Sequence, residues 1–519
     1  MNTIKKLILS NFKRFKYLEL DFDDGMNILI GDNESGKSSV LLAIDLVLSG
    51  SKGKVETIGI ETIFNREVVA SFLAGDKSLA TLPTMFVEVY LSEQHNPDLN
   101  GKNNSKSIIH DGLRFESVLH DDFSKDAVEI LKDPSCNFPF EYYESKFVSF
   151  AGQVFSGFRR PMKHVIVDSS QINSDYATRE YTKSLYDANS TPNERSKSEY
   201  LYRTNKEKFR IDTLAEINQK LDSYQFGVRS SSKSNLATDI IVLEKEMPIE
   251  SKGKGRQCFI KTDFALHKAQ SLNAILLEEP ENHLSHTNMK KLLERIADSN
   301  GKQLFIATHS SLICTRLDLR KAILMNSSGE KPASLKELPK DTARFFIKAP
   351  DNNVLEFVLS NKVILVEGDA EFILMDAFYR KESEGSSPEK DGVHVIAVGG
   401  TSFKRYLDLA KMLSIKTAVV CDNDGNYQNN CIAPYTEHES ERIGIFSDKN
   451  SARRTFEICL YKDNKAACDE LFQPSRVKLS VEEYMLKNKT DAAFELLDKK
   501  AASLVTPEYI KEAIAWIRK

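Results

Sequence analysis

The chain has 519 residues, enough for roughly three domains of about 150 residues each, every one able to bury its own core. A formal net charge of −4 at pH 7 argues against a wholly basic nucleic-acid coat protein and leaves room for a local basic groove. The cysteines are scattered without a C-x-x-C pair, no signal peptide is evident, and no apolar run approaches the ~18–20 residues that span a bilayer. These features indicate neither a zinc site nor a disulfide framework nor a bilayer-spanning helix, and they fit a reducing cytoplasm.

From the N-terminus, Asn11-Phe12-Lys13-Arg14-Phe15 lies between two short amphipathic stretches. An aromatic ring or an arginine there can stack on a purine, and Phe12 reads equally well as core. Residues 25–30 form an apolar strand pattern. They lead into Gly31-Asp32-Asn33-Glu34-Ser35-Gly36-Lys37-Ser38, which fits the phosphate-loop pattern G-x-x-x-x-G-K-[ST], and a helix pattern starts at Ser39. In such a loop, backbone N–H groups from Gly31 through Asn33 and Gly36 to Ser39 curl around phosphates. Lys37 reaches the β/γ-phosphates and the Ser38 hydroxyl ligates Mg²⁺. Residues 85–91 and 165–167 read as further strands. Gln94 is a weak match to a glutamine loop, and Arg159-Arg160 with Lys163 form a basic cluster that reads as solvated surface or DNA contact. Residues 181–225 read as helix, with Ile211, Leu214, Ile217 and Leu221 on one face.

Ser251-Lys252-Gly253-Lys254-Gly255-Arg256-Gln257 resembles a degenerate ABC-type signature loop, in which Ser251 and Gly253 would bind the γ-phosphate held by a second subunit. The apolar strand at 274–277 ends in Glu278-Glu279. Glu278 is expected to hold Mg²⁺ and Glu279 to polarise the attacking water, two jobs that γ-phosphate hydrolysis needs side by side. After a helix with a basic face (Lys290, Lys291, Arg295), the strand at 304–308 ends in His309, placed either to sense the γ-phosphate or as an ordinary strand-end histidine.

After Pro350 the pattern restarts. The strand at 362–366 ends in Glu367-Gly368, followed by a helix carrying Glu371. The strand at 393–398 ends in Gly399-Gly400, and that at 417–420 runs into Asp422-Asn423-Asp424. Strand–helix alternation predicts a parallel sheet with its strand ends on one edge, so Glu367, Asp422 and Asp424 should converge. Clustered carboxylates repel one another unless cations bind, which calls for Mg²⁺ or Mn²⁺.

This second half resembles a Toprim domain, and an ABC-type ATPase followed by Toprim resembles the OLD family of ATP-dependent nucleases. The Glu-Glu-Pro-Glu-x-His-Leu run at 278–284 is similar to that family's form. A topoisomerase needs a separate tyrosine-bearing domain and a bacterial primase a Cys/His zinc module. Residues 39–250 lack the heptads that SMC-type ATPases insert. Glu371, on the helix after Glu367, is a further candidate metal ligand; the resemblance implies that Glu457 of the element Arg453-Arg454-Thr455-Phe456-Glu457 joins the second metal site, and that Lys489 in Lys489-Thr490-Asp491-Ala492-Ala493 stabilises the reacting phosphate or protonates the leaving oxygen. Phe456 and Asp491 depart from the family's Leu and Glu. The closing helix pattern has Thr506-Pro507 as N-cap and first residue, with Ile510, Ala513, Ile514 and Ile517 packing.

The expected fold is therefore α/β, an ABC-type P-loop ATPase with a helical insertion followed by a C-terminal Toprim domain. The expected boundaries are 1–170 and 236–349 for the ATPase, 171–235 for a dimerising insertion and 350–519 for Toprim. The implied function is an ATP-regulated, Mg²⁺- or Mn²⁺-dependent DNA endonuclease forming a homodimer or higher homo-oligomer. Among OLD proteins the chain is similar to shorter members of antiviral defence systems, such as the Gabija A subunit and retron-associated effectors. Those imply a helicase-like or reverse-transcriptase/RNA–DNA partner. The alternatives are a non-nucleolytic SMC-like DNA-binding clamp and a topoisomerase- or primase-like enzyme.

Overall fold

The computed structural model describes residues 2–133, 135–156, 161–171, 174–221, 224–229, 235–267, 271–299, 301–325, 331–348, 353–400, 402–473 and 479–519. Arg159 and Arg160 lie outside the described residues. The chain divides into two compact units: residues 1–309 with 325–332, and residues 310–324 with 333–519.

In the first unit the strands are β1 (Ile4–Phe12), β2 (Phe15–Asp21), β3 (Met26–Ile30), β4 (Met85–Leu91), β5 (Asn100–Gly101), β6 (His110–Leu119), β7 (Tyr143–Ser149), β8 (His164–Asp168), β9 (Ala274–Glu278) and β10 (Gln303–Thr308). An antiparallel sheet runs β2-β1-β4-β6-β5, with β7 also on β6; β3-β10-β9-β8 lie parallel in the other sheet. Ile28–Ile30 and Ile275–Leu277 are fully buried, as expected of parallel strands covered on both faces. Helix α1 (Lys37–Ser49) packs between the two sheets, against β1, β4 and β6 on one side and β8, β9 and β10 on the other. This explains why it is apolar nearly all round.

Residues 181–225 do not form one helix. Helix α2 (Asp175–Ala188) stops before Thr191, which caps α3 (Pro192–Asp212) by accepting from Glu194 N while Glu194 reaches back. A short turn at Ala215–Asn218 follows. Thr-Pro-x-Glu is a capping box with proline in the first turn, a restart signal stronger than the apolar spacing. The face expected to pack is exposed at Ile211, Ile217 and Leu221. Helix α4 (Lys254–His267) precedes β9, and α5 (His286–Ala297) links β9 to β10.

The second unit holds a parallel sheet in the order β12 (Val393–Ala397), β11 (Lys362–Val366), β13 (Lys416–Val420), β14 (Ile443–Phe446). Helix α6 (Asp369–Glu382) follows β11 and α7 (Phe403–Leu413) follows β12. Beyond β14 come α8 (Phe456–Asp463), α9 (Lys489–Lys500) and α10 (Glu508–Arg518). Ile510, Ala513, Ile514 and Ile517 of α10 are buried, although Pro507, not Thr506, is the residue at the N-cap. The unit begins earlier than residue 350. The helix at Ser311–Arg316 packs on those at Lys340–Lys348 and Val354–Leu359, and both of these also pack on α7. There Thr342 donates to Asp408 and receives a bond from Arg405. All seven cysteines are free, and among the described residues no helix is long and apolar enough to cross a membrane.

Candidate functional site

Each unit brings together a set of side chains with a chemistry of its own. In the first, the loop between β3 and α1 turns at Gly36, whose φ is 96° and whose missing Cβ would lie 2.3 Å from Phe15 Cζ. Any other residue would be both strained and blocked. Lys37 is buried and donates to the carbonyls of Gly31 (2.8 Å) and Asp32 (3.0 Å). Burial holds its ammonium below the usual lysine range, against the pull of Glu279, Asp32 and Glu278.

Glu278 ends β9 in register with Asp168 at the end of β8. Burial pushes its carboxyl up to about 7, partly offset by a hydrogen bond with Ser38. Ser38 and Glu278 thus face one another, as two ligands of one cation must. Glu279 sits at φ 45°, with its N–H held by Ala307 O at 2.9 Å. His309 Nδ1 approaches Glu279 Oε2 to 2.6 Å. Glu281, a residue to which the sequence reading gave no role, accepts from Thr308 Oγ1 (2.5 Å) and His309 N (3.3 Å) and so fixes the end of β10 beside Glu279. Its signal was the third acid of Glu278-Glu279-Pro280-Glu281. A cleft of about 670 Å³ borders this loop and is lined by Arg14, Asn33, Ser38, Ser39, Arg66 and Glu279. Phe12 is buried in the core; of the two stacking candidates, Arg14 is the one that reaches the cleft.

At the signature-like segment, Gly253 precedes α4, and Gly255 lets that helix lie against the loop after β9: a Cβ there would meet His283 O at 2.2 Å. Gln257 donates to Glu250 O and Lys252 O, fixing the loop to the helix, while Ser251 Oγ donates to Pro248 O at 2.7 Å. Gln94 follows β4, with its N–H bonded to Asp111.

In the second unit the C-terminal ends of β11 and β13 carry Glu367 and Asp422. Asp422 Oδ1 accepts the N–H of Phe456 at 2.7 Å, which brings the first turn of α8, and with it Glu457, to the strand ends. Glu371, in the first turn of α6, and Glu457 are buried. Lys489, at the start of α9, places Nζ 3.0 Å from Glu457 Oε1. Burial pushes Asp422 up to about 8, helped by Glu371, Glu367 and Glu457. Burial does the same to Glu371, to about 7, and raises Glu367, on which Asp424 also acts. Asn423, between the two aspartates, donates to the carbonyls of Asp448 (2.7 Å), Asn450 (3.2 Å) and Arg453 (3.2 Å) and accepts from Gly425 N. Its role could not be read from the sequence.

The donor chemistry of these acids suits a divalent cation. They gather at one sheet edge, burial raises the carboxyls of Glu367, Glu371 and Asp422, and Glu457 Oε2 is buried without a hydrogen-bond partner among the described residues. A carboxyl such as Asp422, raised in the folded state, keeps a proton that the unfolded chain releases near pH 4. The fold therefore loses stability as pH rises from about 4 to about 8, and a cation that replaces the proton restores it. Mg²⁺ is expected to raise the Tm more at about pH 8.5 than at about pH 6. An equal shift at both pH values in thermal melts would contradict this.

Comparisons with known proteins find one family model within each unit. Residues 3–209 match the family model described as AAA ATPase domain, and residues 358–424 match the TOPRIM domain of overcoming lysogenization defect protein-like proteins. The chain is 44% identical over 54 residues to the chromosome partition protein Smc of Methanocaldococcus jannaschii, covering 10% of this chain and 5% of that protein. It therefore spans only a small fraction of the length of that relative. The SMC head domain from Thermotoga maritima is 15% identical, with a TM-score of 0.31, over 64% of this chain and 98% of that one. The C-terminal region of the Xanthomonas campestris pv. campestris OLD protein is 20% identical, with a TM-score of 0.23, over 31% and 94%. The chain is thus a mixed α/β protein that carries an ATPase domain ahead of an OLD-like TOPRIM domain.

Proposed function

We propose that this protein is an ATP-regulated, divalent-metal-dependent DNA endonuclease of OLD type. The observation that carries this reading is the meeting of Glu367, Glu371 and Asp422, whose carboxyls are raised by burial, with Glu457 and Lys489. Cations held by these acids would offset charge on the attacking and leaving oxygens of a phosphodiester. The chain's own contribution is placement. Phe456 N–H orients Asp422, Asn423 fixes the turn that carries both aspartates, and Lys489 supplies a positive charge beside the reacting phosphate. In the ATPase unit, Lys37 is the cation for the β/γ-phosphates, Ser38 and Glu278 the pair for Mg²⁺, and Glu279 the acceptor for the proton of the attacking water, with His309 beside it.

Completion of the ATP site by Ser251 and Gly253 of a second copy makes the working form a homodimer or larger. Helix α3, which buries none of its residues, suits that assembly. The cellular role that goes with this reading is antiviral defence in the cytoplasm with a helicase-like or reverse-transcriptase partner. Purified protein should nick and linearise plasmid with Mg²⁺ or Mn²⁺. Binding of DNA without any cutting would favour the SMC-like clamp instead.

Lys489→Ala should slow cutting by about two to three orders of magnitude, the scale of one charge-stabilising donor lost at the transition state. Its Mg²⁺ concentration for half-maximal activity should stay near that of the parent. A large shift in that concentration with little loss of maximal rate would make Lys489 a keeper of Glu457 and not a transition-state group.

A further inference from the structure

Arg453 and Arg454 are adjacent in sequence and differ completely in surroundings. The Arg453 guanidinium makes a two-pronged pair with Asp463 (2.7 and 2.5 Å), and its Nε donates to Asp448 (2.5 Å). Its charge is taken up inside the unit. Arg454 is exposed, and among the described residues its guanidinium has no ion pair or hydrogen bond.

The backbone of this segment is nonetheless tied to the acid-bearing turn at three successive points. Arg453 O accepts from Asn423 Nδ2 (3.2 Å), Arg454 O accepts from Asp424 N (3.0 Å), and Phe456 N donates to Asp422 Oδ1 (2.7 Å). Asn423 is 1% exposed and also holds the carbonyls of Asp448 and Asn450, so the whole of residues 448–456 is registered against Asp422 and Asp424. An uncommitted arginine is therefore anchored one hydrogen bond from the carboxylate cluster. A cluster of five acids repels the polyanion that it must cut. A neighbouring guanidinium, with a planar fork that matches two non-bridging phosphate oxygens, offsets that repulsion next to the scissile bond.

We propose that Arg454 grips a phosphate of the DNA backbone at the rim of the TOPRIM acid cluster, with Asn423 as the positioning residue that holds it there. The inference rests on the nuclease reading above for its consequence on rate, and on the local geometry alone for its consequence on binding.

The test uses the full chain, a labelled DNA duplex and the variants Arg454→Ala and Arg454→Lys, with ATPase activity as the control for folding. Arg454→Ala is expected to raise KM for cutting about tenfold with kcat within about threefold, the pattern of a contact kept in both ground and transition states. The slope of log affinity against log salt should fall by about one. Arg454→Lys should restore the salt slope and only part of the affinity, because a point charge replaces the fork. Unchanged KM and salt slope in Arg454→Ala would overturn the proposal, as would a fall in kcat with KM unchanged. If the parent protein binds DNA by fluorescence anisotropy but cuts none, the nuclease reading fails by itself. The salt slopes of parent and Arg454→Ala then still decide the phosphate contact, a difference of about one supporting it and equality overturning it.

Discussion

Replacing Glu367 or Asp422 with alanine is expected to lower plasmid cutting by about three orders of magnitude while ATP hydrolysis stays within about tenfold of the parent. Both residues sit at strand ends of the parallel sheet β12-β11-β13-β14, where burial and neighbouring acids already hold their carboxyls above the usual range. Removing one deletes an oxygen ligand from a place where two phosphodiester oxygens need charge compensation. Several kcal/mol of lost transition-state stabilisation corresponds to that rate. Asp422→Ala should be the more severe, since Asp422 also receives the N–H of Phe456 and its loss frees the first turn of α8 that carries Glu457. The measurement is nicking and linearisation against Mg²⁺ and Mn²⁺ concentration, with ATPase assayed in parallel. If both variants cut like the parent, these acids are not the nuclease centre and the clamp reading takes over.

Glu279→Gln is expected to bind ATP and to hydrolyse it about 10²–10⁴-fold more slowly, the range associated with loss of a positioned general base. The amide keeps the shape of the side chain next to His309 Nδ1, now 2.6 Å from Glu279 Oε2, but cannot accept the proton of the attacking water. Glu281 still holds Thr308 and the His309 N–H, so the end of β10 stays in place. ATP trapped in this way should hold two copies together if Ser251 and Gly253 act across the interface. Light scattering of Glu279→Gln with ATP should report a larger mass than without it. Unchanged turnover would remove Glu279 from its role, and a monomer under every nucleotide condition would remove the signature assignment.

The chain by itself determined whatever depends on short-range pattern. The strand–loop–helix at 26–49, the acid-ended strand at 274–278 and the strands ending in Glu367 and before Asp422 were legible because apolar runs, glycines and lysine occupy fixed offsets with a mechanical reason for each. The reading of 181–225 as one helix rested on apolar spacing alone and merged two helices that the capping box at Thr191–Glu194 separates.

Tertiary structure alone decided which side chain of a local pair faces the site. Phe12 went to the core and Arg14 to the cleft. The Arg453 guanidinium was consumed by Asp448 and Asp463, whereas Arg454 beside it is exposed, with its carbonyl bonded to the Asp424 N–H. It also decided that Glu281 braces the end of β10, that Asn423 ties the aspartates to residues 448–453, and that the helices from Ser311 onward belong with the second unit. Each of these depends on partners brought near by packing between segments that the sequence pattern treats as independent. A sequence period fixes the face of an element, whereas the loop that meets that face is set by how the cores close.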